Sequence, residues 1–210
     1  MPAGRRHEGS RAMGVSKQQA IENKKAIVAA AEKLFRARGV EAVGLAELTK
    51  AAGFTQGGFY NHFKSKDALV AAVLEKAMEQ GGQERDAAIA ASREKALDPM
   101  ARQIEWYLSA DHRADIEAGC PLTVFAGDVR RLGRDARESY ARGLAHNFEQ
   151  LADIVEGADA ADKRKKAIAL FSQMVGSLLL SRAVVDVDAA LADEILRDGR
   201  EDLLAAIGKA

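Results

Sequence analysis

Residues 45–63 read LAELTKAAGFTQGGFYNHF, and the fold is decided in this run. Two short segments with helical apolar spacing, about 45–52 and about 56–62, are joined by Ala52-Gly53-Phe54-Thr55. Leu45, Leu48 and Ala52 share one face of the first segment, as residues three and four apart do on a helix. Gly53 ends it, because glycine takes positive φ without a Cβ clash. Phe54 supplies an apolar residue to lock the corner. Thr55 caps the second segment, its hydroxyl accepting from a free backbone N–H. A tight glycine turn between two short helices, the second one capped, is a helix-turn-helix arrangement. The second helix carries Gly57 and Gly58 in its first turn, where alanine would be more stable by about 1 kcal/mol per site. What glycine offers there is close approach: a helix end without side-chain bulk can bring its N–H groups against a groove or a phosphate.

Outward from this run the chain reads as helix throughout. A first helix is expected at about 17–38, with Ile27, Ala31, Leu34 and Phe35 as one stripe and Gly39 as its stop. A fourth begins near Ser65, which has the character of an N-cap, with Asp67 suiting the helix dipole. It carries Leu69, Val70, Val73 and Leu74 and extends to about residue 90. Pro99 opens the next helix, holding Ile104, Trp106, Tyr107 and Leu108, and residues 111–119 read as a loop or frayed turn. Pro121 suits the first turn of another helix. Further helices are expected at about 120–131, 134–156, 160–185 and 189–207. No strand-period alternation is visible, so the fold class is all-α.

The 210 residues are 48% apolar and 30% charged, enough for a core and a solvated surface, and carry formal net charge zero. The charge is unevenly spread. Residues 1–66 hold 12 Lys and Arg against 5 Asp and Glu, and the remainder holds 19 against 26. A basic N-terminal third on an acidic body suits a protein that meets phosphate at one end only. Residues 1–16 read as a flexible basic arm. Lys24-Lys25 and the arginines at 36 and 38 read as solvated faces, with nonspecific phosphate attraction second. No secretory pattern is present, and the apolar run at 174–180 is too short to span a bilayer, so a cytoplasmic protein is expected.

The run from Ile27 to Leu69 resembles the DNA-binding domain of the TetR family. The matching residues are Leu34-Phe35, Gly39, Leu48, Ala52-Gly53, Thr55, Gly57, Phe59-Tyr60, His62-Phe63, Ser65-Lys66 and Leu69. Gly44 departs from the pattern, standing where many members cap helix 2 with Thr or Ser. The resemblance implies a helix-turn-helix reader at 17–65, a larger ligand-binding and dimerisation body at 66–210, and a homodimer built on the last two helices. It further implies a repressor that leaves a near-palindromic double-stranded DNA operator when a small-molecule effector binds. Carried onto this sequence, Thr55, Gln56 and Gly57 reach base edges or adjacent backbone, and Gln56 can pair bidentately with adenine. Asn61 adds a base contact, while Tyr60, His62 and Lys66 reach phosphate. The plainer alternatives are solvent exposure for Gln56 and Asn61, and the edge of a small core for Tyr60 and His62.

The body gives weaker signals. Trp106, Tyr107, Phe125, Tyr140, Phe148 and Phe171 line one cavity or are simply core. Cys120, the single cysteine, joins them as a pocket candidate. At a helix start the dipole lowers a thiol's pKa, so Cys120 is either an electrophile or redox sensor or a small packing residue. Residues 166–185 are apolar nearly all round, which one helix of a monomer seldom needs. Phe171, Met174, Val175, Leu178 and Leu179, with Leu191, Ile195 and Leu203 on the following helix, are the expected dimer interface. Burial of the same residues within one chain is the alternative. There is no P-loop, Gly-x-Ser-x-Gly or dinucleotide motif, and no histidine spacing that suits a metal. No enzyme, cofactor or metal is therefore expected. The rival of another class is a helical ligand-binding protein or enzyme that does not use its reader domain.

Overall fold

A computed structural model describes residues 9–209, with side chains from Lys17 onward. All regular structure among the described residues is helical. The elements are α1 (Gly9–Arg38), α2 (Leu45–Ala51), α3 (Gln56–Tyr60), α4 (Lys66–Glu94), α5 (Pro99–Tyr107), α6 (Ala110–Ala114), α7 (Pro121–Val124), α8 (Ala126–Val129), α9 (Arg134–Ala152), α10 (Ala160–Val184) and α11 (Ala189–Ala206). The all-α expectation holds. The basic arm lies partly outside the described residues, and from Gly9 the chain is already in α1.

The chain divides into two compact units, one through Val73 and one from Leu74. The division falls inside α4 rather than at its start. Leu69, Val70 and Val73 explain this: all three are buried, so the first two turns of α4 belong to the core of the first unit. That core also takes Ile27, Ala31 and Phe35 from α1, Leu48 from α2 and Phe59 from α3. Phe59 and Phe63 stack with centroids 5.7 Å apart. Gly39 and Gly53 have φ of 81° and 75°, the left-handed stops that their positions call for.

In the second unit α10 is central, packing against α9 on one side and α11 on the other. Its buried residues are Ala167, Leu170, Phe171, Met174, Leu178 and Ser181, a stripe three or four residues apart. The approach of α11 is close: a Cβ on Gly199 would stand 2.7 Å from Ser177 Oγ. Asp98 caps α5 by accepting from Met100 and Ala101 N–H, with Pro99 in the first turn. The stretch 111–119, expected as a loop or frayed turn, begins within a short helix, α6. Ser109 makes this possible, its hydroxyl accepting from His112 N–H at 3.1 Å. The helix expected at 120–131 is two single turns, α7 and α8, meeting at Phe125.

Candidate nucleic-acid interface and effector cavity

In the first unit, Thr55 is the N-cap of α3, its Oγ1 accepting from Gly58 N–H at 3.1 Å. This starts α3 abruptly and leaves Gln56 and Gly57 exposed in its first turn. A Cβ added to Gly57 would meet nothing within 4 Å. The fold therefore has no need of glycine at 57, and a side chain there would simply project outward. Tyr60, 57% exposed, and Asn61 lie at the other end of the helix, also open to solvent. Phe59, between them, is wholly buried and anchors the helix. His62 is half-buried, edge-on to Phe54 at 5.9 Å, which fixes the turn against the end of α3.

Lys66 is placed differently from its expected role. Its Nζ donates to the Val40 carbonyl at 2.8 Å and lies 5.9 Å from the centre of the Phe35 ring. The ammonium is half-buried and ties α4 to the loop after α1, so its first duty is structural. The charges of α1 and α2 are largely partnered as well: Arg36 pairs with Glu32 at 3.0 Å, and Arg38 pairs with Glu47. Lys24 lies over the Phe63 ring at 5.4 Å.

The second unit holds a cavity of about 290 Å³ between α4, α5 and the start of α7. Trp106 and Cys120 line it, with Ile89 and Pro121 as further apolar wall. The other expected pocket residues do not. Tyr107 and Phe125 are fully buried, and Phe171 is 3% exposed. Phe171 meets Tyr107 and Phe148 edge-on at 5.7 and 6.0 Å, an aromatic cluster inside the unit. Tyr140 donates its hydroxyl to Leu122 O at 2.6 Å, and Tyr107 shares a hydrogen bond with Thr123. Burial pushes the Tyr140 hydroxyl up to about 12 and raises that of Tyr107 as well. Both stay neutral and serve packing. Aromatic residues in a helical body are drawn to the core by area alone, and for Tyr107, Phe125 and Phe171 the core alternative is the one found.

The polar part of the cavity wall was not anticipated. Arg85 and Gln103 line it, 9% and 8% exposed. Arg85 Nη1 donates to Gln150 Oε1 at 3.2 Å, while its buried Nε has no hydrogen-bond partner and its guanidinium no ion pair among the described residues. Gln150 is held in turn, donating to Gly82 O at 2.9 Å and Asp86 Oδ1 at 2.7 Å. The signal was in the sequence: Arg85 falls in register with Leu74, Met78 and Ile89 on the inward face of α4. A charge in that register is costly, by several kcal/mol, unless something compensates it.

Behind Trp106 lies a rigid support. His112 is 2% exposed and stacks on Trp106 with centroids 4.2 Å apart. Its Nδ1 donates to Tyr107 O at 2.8 Å, and its Nε2 accepts from Cys120 N–H at 3.2 Å. Both ring nitrogens are used only if the ring is neutral. Burial agrees, lowering the pKa of the imidazole below its ordinary value. Arg182, from α10, donates to His112 O, Arg113 O and Asp115 O at 2.6, 3.0 and 3.2 Å.

Among the residues expected at a dimer interface, Phe171, Met174, Leu178 and Leu203 are buried within the chain itself. They lie on the inward stripes of α10 and α11 and cannot also face a partner. Leu179 and Leu191 are exposed, and Val175 and Ile195 half-exposed. Leu180, 61% exposed, and Ile168, 39%, extend the outward apolar face of α10.

A short capped helix set across a glycine turn, heading an all-helical chain, defines a protein of the helix-turn-helix class. Residues 27–73 match the model of the bacterial regulatory proteins of the tetR family. The chain is 41% identical over 64 residues to the HTH-type transcriptional regulator TtgR of Pseudomonas putida, a match covering 30% of each chain. The chain thus spans about a third of the length of that relative in the alignment. A longer match joins it to the HTH-type transcriptional repressor NemR of Escherichia coli, 23% identical over 85% of this chain and 94% of NemR. The fold matches the crystal structure of E. coli NemR in its reduced form, with TM-score 0.72 at 20% identity over 90% of this chain and all of that one. It also matches a TetR transcriptional regulator of Chloroflexus aurantiacus, with TM-score 0.73 at 19% identity over 91% and 97% of the two chains.

Proposed function

We propose that the protein is a homodimeric, sequence-specific transcriptional repressor, working in the cytoplasm, whose release from its operator follows occupation of the cavity in the second unit by a small molecule. The observation that carries the DNA-binding half is the bare start of α3. Gly57 is exposed, needless for packing, and flanked by Gln56, whose amide has the donor and acceptor that adenine requires. The dimer is supported by the outward apolar face of α10, where Ile168, Leu179 and Leu180 lie uncovered by the chain's own packing.

The test is gel retardation and footprinting on DNA flanking the protein's own gene. A two-fold dimer protects two half-sites one helical turn, about 34–36 Å, or a multiple apart. A single asymmetric half-site at saturation contradicts the dimer. No retardation on any flanking DNA favours a helical ligand-binding protein whose reader is idle.

A covalent variant of release rests on Cys120 lining the same cavity. An alkylating agent would add bulk to that wall. Release by such an agent in the wild type but not in Cys120→Ser supports it; equal release in both, or in neither, leaves reversible binding.

A further inference from the structure

The effector's chemistry is written in the buried charge of the cavity wall, Arg85, which has no counter-charge among the described residues. Resting on the reading of this cavity as an effector site, we infer that its ligand is a small organic anion, a carboxylate on a single ring or short chain, bound by Arg85.

Three observations converge. Arg85 lines the cavity while more than nine-tenths buried, and no carboxylate pairs with it. Its Nε is buried and unpartnered. Its one hydrogen bond goes to the neutral Gln150 amide, which itself is fixed by two further acceptors, so the guanidinium is oriented but not neutralised. The planar fork of arginine suits a carboxylate, which accepts two parallel N–H bonds. The rest of the wall sets the body of the ligand: Ile89, Trp106 and Pro121 are apolar, and Gln103 offers one buried amide. A cavity of about 290 Å³ is at the small end for ligand pockets, which limits the body to one ring or a short chain.

The charges at the rim do not do this work. Arg102 is exposed and pairs with Glu105, and Glu84 is exposed and accepts from Gln80 at 2.9 Å. In a second cavity of about 330 Å³ near α10 and α11, the cation in the wall and one of its carboxylates are ion-paired. There Lys166 pairs with Asp162 at 3.0 Å, and Asp98 pairs with Lys209 at 3.3 Å. In the Arg85 cavity, by contrast, a buried charge is left over.

Three acid and amide pairs test this on the full-length protein: benzoate and benzamide, 4-phenylbutyrate and 4-phenylbutyramide, hexanoate and hexanamide. Trp106, the single tryptophan and part of the wall, gives the fluorescence readout, with the shift in Tm as a second. At least one acid should bind about tenfold or more tightly than its amide, since charge assistance roughly doubles the strength of a hydrogen bond. Arg85→Gln should erase that preference, Arg85→Lys should keep part of it, and Arg102→Gln should leave it intact. If Arg85→Gln fails to fold, Arg85→Lys and the wild-type acid-to-amide ratio decide. Equal binding of acid and amide, no binding by any acid, or a preference that survives Arg85→Gln or disappears in Arg102→Gln overturns the inference. Gel retardation run in parallel separates this from the regulator reading: DNA binding without acid preference sinks only the anion, and acid preference without DNA binding sinks only the regulator.

Discussion

At the scale of single residues, Gly57 is free for the close approach that the sequence suggests, while Lys66 is held by its own fold. Gly57 resembles a defect in a helix and is free of every steric demand from its own fold. Gly57→Ala should therefore leave stability unchanged or raise it by up to about 1 kcal/mol. On the proposed function, operator binding should fall at least tenfold, because the added methyl would stand between α3 and the groove. Urea unfolding and gel retardation on the same sample check both halves; a variant that loses neither removes close approach from the account. Gln56→Ala should relax base preference at one position, costing about 1–3 kcal/mol there and little on random DNA. Lys66, by contrast, is tied to Val40 O. Lys66→Met should cost about 1–2 kcal/mol of stability, the loss of a hydrogen bond from a charged donor. A urea midpoint equal to the wild type would return Lys66 to the phosphate-contacting set.

At the scale of elements, α6 is the part most tightly specified by side chains. The neutral His112 ring bridges Tyr107 O and Cys120 N–H, and protonation would turn its Nε2 from acceptor into a donor facing another donor. The folded pKa lies below the ordinary 6.5, so between the two values the unfolded chain binds more protons. Stability from this group is full above about pH 6.5 and is lost as pH falls through that window towards the folded value. His112→Gln should be less stable than the wild type at pH 7.5 and should lose less on acidification to pH 5.5. Parallel slopes for the two proteins would show that His112 does not titrate in this way. Of the elements, α2 to α5, α9 to α11 and the end of α1 were legible in the sequence, since Gly39, Gly53 and Pro99 mark boundaries and apolar stripes mark faces. The turn at α6 was not, because residues 110–114 carry no apolar period and owe their helix to the Ser109 cap and to Arg182.

At the scale of the whole molecule, assembly depends on which leucines of α10 are already committed. The sequence shows an apolar helix but not its orientation, and Leu178 and Leu180 look equivalent in it. The structure separates them: Leu178 is wholly buried and Leu180 is 61% exposed. Leu180→Glu should thus fold with near wild-type stability yet sediment as a monomer and lose most operator affinity, since one half-site binds weakly. Leu178→Glu should instead unfold the second unit, an unpaired charge in its core. A Leu180→Glu protein that remains dimeric would move the interface off this face. The same distinction explains why, of the aromatic residues offered by the sequence as pocket or core, Tyr107, Phe125 and Phe171 are core and Trp106 is cavity wall. Burial by area is readable from residue type, whereas the cavity is defined by what α4, α5 and α7 fail to fill.

The three carbonyls held by Arg182 belong to the end of α6 and the turn that follows it, and that turn leads directly to Ala118 and Cys120 on the cavity wall. The segment 112–120 is therefore not a self-contained module. Anyone recombining these proteins to exchange ligand specificity, by splicing this stretch from one chain into another, would have to move the arginine of α10 with it, some sixty residues downstream. In evolutionary terms the two sites should behave as a linked pair, with new ligand preferences arising by side-chain replacement at fixed backbone before they arise by insertion or deletion.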